Sequence, residues 1–138
     1  MLGRASGTVA LGLAFSLALA ADAWALPASG TALHWTAAQI SQLERSAREG
    51  YAPAQYRLGL AYAAGTGVDQ NLAKAVHWWR LAAKNLNAPA QLELGDAYAH
   101  GWGVEQNTER AIHYWKMAAA DGHRNTARQA EKLLDSAV

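Results

Sequence analysis

The sequence predicts an all-α solenoid of antiparallel helix pairs, and three observations predict it. The first is an internal repeat: residues 52–83 recur as residues 88–119, at a constant offset of 36. Between 51–86 and 87–122, 19 of 36 positions are identical and no gap is needed. A period of this length marks stacked helical units that bury a continuous core only together. The second is punctuation. Each copy has a proline near its start (Pro53, Pro89) and a Gly-x-Gly-Val in its middle (residues 65–68, 101–104), which divides it into two helices. The third is size. Ala54, Gly59, Ala61, Ala75, Ala82 and Ala83 are small enough for two helix backbones to approach, and Leu58, Tyr62 and Trp79 fill the remaining space.

Composition narrows the functional classes. The chain has 138 residues, a net charge of +1 and no cysteine. Near-neutrality gives no field to attract nucleic acid or an anionic membrane. Without cysteine there are no disulfides, thiolate nucleophiles or zinc ribbons. Six tryptophans against one phenylalanine point to large rings used for packing or contact.

Residues 1–25 have the pattern of a secretory signal peptide. Arg4 gives a positive start, residues 9–20 an apolar stretch, and Ala23-Trp24-Ala25 a small-residue cleavage site, with Ala21-Asp22-Ala23 as a second one. The alternative is a retained anchor, for which the uncharged run is marginally short. Export to a bacterial periplasm is the expectation. Residues 26–35, with Pro, Gly and Ser, form a flexible lead-in.

The first helix begins after Thr36. Thr36 with Gln39 makes a capping box, and Trp35 with Ile40 fits a hydrophobic staple. Ile40, Leu43 and Ala47 share one face, Glu44 and Arg48 pair at i,i+4, and Gly50 ends the helix. This segment, 36–50, aligns with the second helix of the repeat, so it is a partial leading unit. In repeat 1 (51–86) and repeat 2 (87–122), helix A runs about 53–63 and 89–99, and helix B about 72–85 and 108–121. Asn71 and Asn107-Thr108 are placed to cap the B helices. The tail, 123–138, occupies the next helix A slot but carries Arg124, Arg128, Glu131, Lys132 and Asp135, as a terminal capping helix should.

The run A-x-A-Q-x-x-L-G-x-x-Y-x-x-G-x-G-V, followed by A-x-x-W-x-x-x-A-A, resembles the Sel-one-like repeat family of the tetratricopeptide-like superfamily. The resemblance is close over residues 50–122 and looser in the flanking helices. It implies a right-handed helical superhelix whose concave face, lined by the A helices, binds a protein or peptide. Exported bacterial members look like regulators or assembly factors of envelope systems. The motif is a packing motif: it brings over no catalytic residues, cofactor or metal.

If shared positions build the scaffold, partner contacts belong where the copies differ on helix A and in the following loop. These are Tyr56/Leu92, Arg57/Glu93, Leu60/Asp96, Ala64/His100 and Thr66/Trp102. Tyr56, Arg57, Leu60, Leu92, Glu93, Asp96 and Trp102 are the candidate partner-binding residues, as exposed groups on one groove face. Glu93, Asp96 and His100, at i, i+3 and i+7, could hold a metal or an acid–base pair. Three ligands on one helix do not close a coordination shell, and an exposed Asp–His pair accounts for the same spacing. His77 and His113 are repeat equivalents on helix B, where a scaffold role or a polar outer face is expected, and their neighbours Trp78 and Tyr114 are expected to pack in the core or between repeats. The glycine loops follow helices and lack Gly-Lys-Ser/Thr, so they are not phosphate loops, and no serine stands in a nucleophile motif. The expected function is a non-enzymatic periplasmic module binding a protein or peptide. Two alternatives stand beside it: an envelope assembly factor or a peptidoglycan or polysaccharide binder using Trp102, and, with less support, an envelope hydrolase relying on Asp96 and His100.

Overall fold

The computed structural model describes residues 35–121 and 123–137. The expected signal peptide, 1–25, and nearly all of the lead-in lie outside the described residues. The elements are α1 (Ala37–Arg48), α2 (Ala52–Ala64), α3 (Leu72–Lys84), α4 (Ala88–His100), α5 (Thr108–Ala120) and α6 (Arg124–Ala137). Among the described residues every regular element is a helix, and none is long and apolar enough to cross a membrane.

Local chemistry sets the boundaries. The Thr36 hydroxyl accepts from Gln39 N at 3.3 Å, and the Gln39 side chain accepts from Thr36 N at 2.8 Å, completing the capping box. Asn71, Asn87 and Asn107 cap α3, α4 and α5 by accepting from Lys74, Ala90 and Arg110 N. Pro53 and Pro89 sit in the first turn, where no intrahelical N–H is required.

Each helix packs chiefly on its sequence neighbours, and the tightest joints are α2 on α3 and α4 on α5. Gly59 and Gly95 make those joints. A Cβ at Gly59 would come within 2.3 Å of Trp79 Nε1, and one at Gly95 within 2.2 Å of Trp115 Nε1. Glycine is required there by close approach, because the indole lies flat on the helix backbone. Gly67 and Gly103 have φ of +74° and +68° and lie against the start of the B-type helix of the unit before, at Trp35 O ahead of α1 and at Leu72 O of α3.

Between repeats the clamp is a buried glutamine. Gln55 donates to Ala47 O at 2.9 Å, and Gln91 donates to Ala83 O at 3.4 Å. Each closes an A helix onto the last turn of the B helix before it. The expected Glu44–Arg48 pair is not formed: Glu44 instead accepts from the Tyr62 hydroxyl at 3.4 Å, a contact that ties α1 to α2. A part-buried tertiary partner outcompetes an exposed i,i+4 ion pair worth a few tenths of a kcal/mol.

Candidate functional site: the α2–α4 face

The seven candidate residues divide into three groups. Tyr56 on α2 and Glu93 and Asp96 on α4 form the first, and they interact. Burial, reinforced by the charge of Asp96, pushes the Glu93 carboxyl up to about 8. Burial also raises the Tyr56 phenol, and Glu93 raises it further, so the two side chains share one environment across α2 and α4. Asp96 is raised by burial as well, against the Trp115 hydrogen bond and the nearby His100, which pull it down. Its Oδ1 accepts from Trp115 Nε1 at 3.1 Å. Glu93 is thus mostly neutral at pH 7 and able to donate, while Asp96 is an acceptor held by an indole.

Leu60 and Leu92 belong to the same region but not as exposed contacts. They are 8% and 7% exposed, buried on α2 and α4 one turn from Tyr56 and Asp96. The expectation of exposed leucines is corrected here. Both A helices carry apolar residues around most of their circumference, so a position that differs between the copies is not thereby on the surface.

Arg57 and Trp102 lie apart from this group. Arg57 is exposed and lines a cavity of about 300 Å³ with Trp35, Leu43 and Tyr51, on the side of α2 that faces α1. Trp102, in the loop after α4, stacks on His100 with ring centroids 4.4 Å apart at 13°. His100 Nδ1 contacts its own helix at Asp96 O, 2.9 Å away. The side-chain Asp–His pairing suggested by the spacing is therefore replaced by a contact with backbone. Among the described residues no three His, Cys, Asp or Glu side chains group as metal ligands would.

His77 and His113 are exposed, each edge-on to the ring that follows it, Trp78 or Tyr114. Trp78 packs on the leading core with Ile40 and Leu58. Tyr114 stacks on Tyr98 at 5.7 Å. A search of helix A mismatches alone overlooks Trp115 as the partner of Asp96. It also overlooks Arg80 and Arg110, whose guanidinium groups meet at Tyr98. The signal for Arg80 was present in the B helices, where Glu44 and Arg80 are repeat equivalents of opposite charge.

The family model for the Sel1 repeat matches residues 52–85 and 88–123. The fold is similar to a crystal structure of a Sel1 repeat protein from Oxalobacter formigenes, with 32% identity and a TM-score of 0.63 over 65% of this chain and 36% of that one. It is also similar to c5321, a protective antigen present in uropathogenic Escherichia coli strains displaying an SLR fold. There the identity is 29% and the TM-score 0.64, over 83% of this chain and 24% of that one. The chain therefore spans about a third of the first structure and a quarter of the second. A comparison with curated proteins returned no match. The chain belongs to the Sel1 repeat family, a helical repeat fold that typically mediates protein–protein interaction.

Proposed function

We propose that the protein is a non-enzymatic interaction module of the bacterial cell envelope, exported by residues 1–25, that binds a protein segment on the α2–α4 face. The observation that carries this reading is the Tyr56–Glu93–Asp96 cluster, on helices whose Leu60 and Leu92 are buried. No lysine, arginine or histidine forms an ion pair with either carboxyl among the described residues. Two crowded carboxyls are costly to keep in a scaffold, and a basic side chain of a partner would relieve that cost.

The mechanism follows from the charge state. At neutral pH Glu93 donates a hydrogen bond, for example to a partner's backbone carbonyl. A docked lysine or arginine favours the ionised form and releases the proton. Binding of a basic segment should then strengthen between pH 6 and 8, by up to about tenfold per unit where one proton is released.

A photo-cross-linking residue placed at Tyr56 in living cells should capture a discrete protein partner, and the same residue at exposed Lys116 on α5 should not. Equal capture from both positions would overturn the assignment of the face. N-terminal sequencing of the protein from the periplasmic fraction tests export: a mature end just after Ala23 or Ala25 is expected, and an intact residue 1 contradicts cleavage.

A further inference from the structure

A second charged cluster lies away from the α2–α4 face, where three helices converge on one phenol. Arg80 on α3 donates through Nη2 to Tyr98 Oη on α4 at 2.8 Å, and Arg110 on α5 donates through Nη1 to the same oxygen at 3.3 Å. Both guanidinium groups also lie over the ring, 5.8 and 5.5 Å from its centroid. Tyr114 stacks on that ring and fixes its plane.

The arrangement is unusual in its charge balance. Neither arginine has a carboxylate within 4.0 Å among the described residues, where the ion pair present is His123–Asp121. Two like charges are thus gathered on a neutral group. The Tyr98 hydroxyl accepts twice, and among the described residues its own proton has no acceptor. The equivalent tyrosine of repeat 1 shows the balanced version: Tyr62 donates to Glu44, and Lys74 lies over its ring at 5.3 Å. Where repeat 1 has one acid and one base, repeat 2 has two bases. Burial raises the Tyr98 phenol, but the two arginine hydrogen bonds and charges outweigh it and leave it below the ordinary 10.0.

These groups line a cavity of about 460 Å³, whose other walls include Ala73, Val76, Val104 and Glu105. We propose that this cavity is a carboxylate-binding site, with Arg80, Arg110 and the Tyr98 hydroxyl as donors, that takes the C-terminal residue of a peptide. Planar guanidinium groups match a carboxylate in geometry and charge. Most of the lining is polar, with Gln106 and Asn107 beside the arginines, and the one apolar wall, Ala73, Val76 and Val104, fits a small aliphatic side chain that inorganic phosphate would leave unused. Glu105 on the lining disfavours a doubly charged anion over a singly charged one.

The test is an NMR titration of the full chain, observing the arginine Nε–Hε signals. N-acetyl-alanyl-valine as the free acid should shift the Arg80 and Arg110 signals saturably. Its C-terminal amide should bind at least about tenfold more weakly, because it lacks the charge-assisted bonds. Arg80→Glu, which copies the charge pattern of repeat 1, should abolish the response. Arg45→Gln, exposed on α1 and away from this cavity, should leave it unchanged. Equal binding of acid and amide, or no response to either, overturns the proposal. Saturation by inorganic phosphate at lower concentration than the acid also overturns it, in favour of a phosphate site. Because acid and amide are compared on the unmodified protein, a variant that fails to fold does not blunt the test.

Discussion

Trp79 and Trp115 hold the same place in their repeats, each flat against the glycine of its A helix, yet their N–H groups end differently. Trp115 donates to Asp96, whereas Trp79 Nε1 is buried with no partner, because Leu60 stands where Asp96 does. A similar contrast appears at the clamps. Gln55 Oε1 accepts from Asn85, but Asp121, the equivalent of Asn85, has no donor to offer, and Gln91 Oε1 is left unpaired. The two copies share one steric solution and differ in polar satisfaction. Where repeat 2 has Glu93 and Asp96 on its A helix, repeat 1 has the exposed Arg57 and the buried Leu60, and Tyr98 of repeat 2 is met by two arginines. A crowded, buried carboxyl such as Glu93 is a cost to the scaffold, and that cost is what the proposed function assigns to a partner.

The largest expected effect tests what the copies share. Gly59→Ala and Gly95→Ala should each cost about 3 kcal/mol, since the added methyl overlaps an indole that has nowhere to move. Thermal unfolding followed by circular dichroism should show midpoints lowered by roughly 10 °C or more in both variants. A loss confined to one would mean that the joints are not equivalent.

The next effect is specific to repeat 2. The folded state retains the Glu93 proton between the ordinary 4.5 and about 8, while the unfolded state has released it. The native state then binds more protons, so stability falls as pH rises through that window and levels off above it. Glu93→Gln should flatten this slope and stabilise the protein at pH 8 by on the order of 2 kcal/mol, allowing for the part of the residue that still reaches water. Urea unfolding at pH 5 and pH 8 measures both.

Smaller differences come from the orphaned groups. Trp115→Phe should cost about 1 kcal/mol more than Trp79→Phe, because it strips a half-buried carboxylate of its donor while the other change removes an unpaired N–H. Similar denaturation midpoints for the pair would show that the Asp96 bond contributes little. Asp121→Asn gives Gln91 a donor and should stabilise by about 0.5–1 kcal/mol, the exposed His123 contact being worth little. No gain would mean that water already satisfies Gln91.

Much of the scaffold was legible because its determinants are local. Caps, first-turn prolines and glycine loops depend on neighbours within a few residues, and the 36-residue offset fixes the pairing. The site was legible only in outline. A mismatch between copies marks positions free to vary but not their exposure, so Leu60 and Leu92 are buried. Tertiary partners were hidden for the same reason: Glu44 turns to Tyr62 and not to Arg48, and Arg57 faces α1 and not Glu93. The Arg80–Tyr98–Arg110 convergence joins residues 12 and 18 apart in sequence on three helices, which no pattern along one helix displays.

The central claim is that repeat 2 holds a carboxyl, neutral at physiological pH, on the face it shares with Tyr56. Carbon-detected NMR of the Glu93 side-chain carboxyl across pH 3–10 measures this directly. A midpoint near 8, moving down in Asp96→Asn, is the expected result. A midpoint between 4 and 5 would mean that Glu93 is an ordinary solvated carboxylate, and the α2–α4 face would lose the feature that sets it apart.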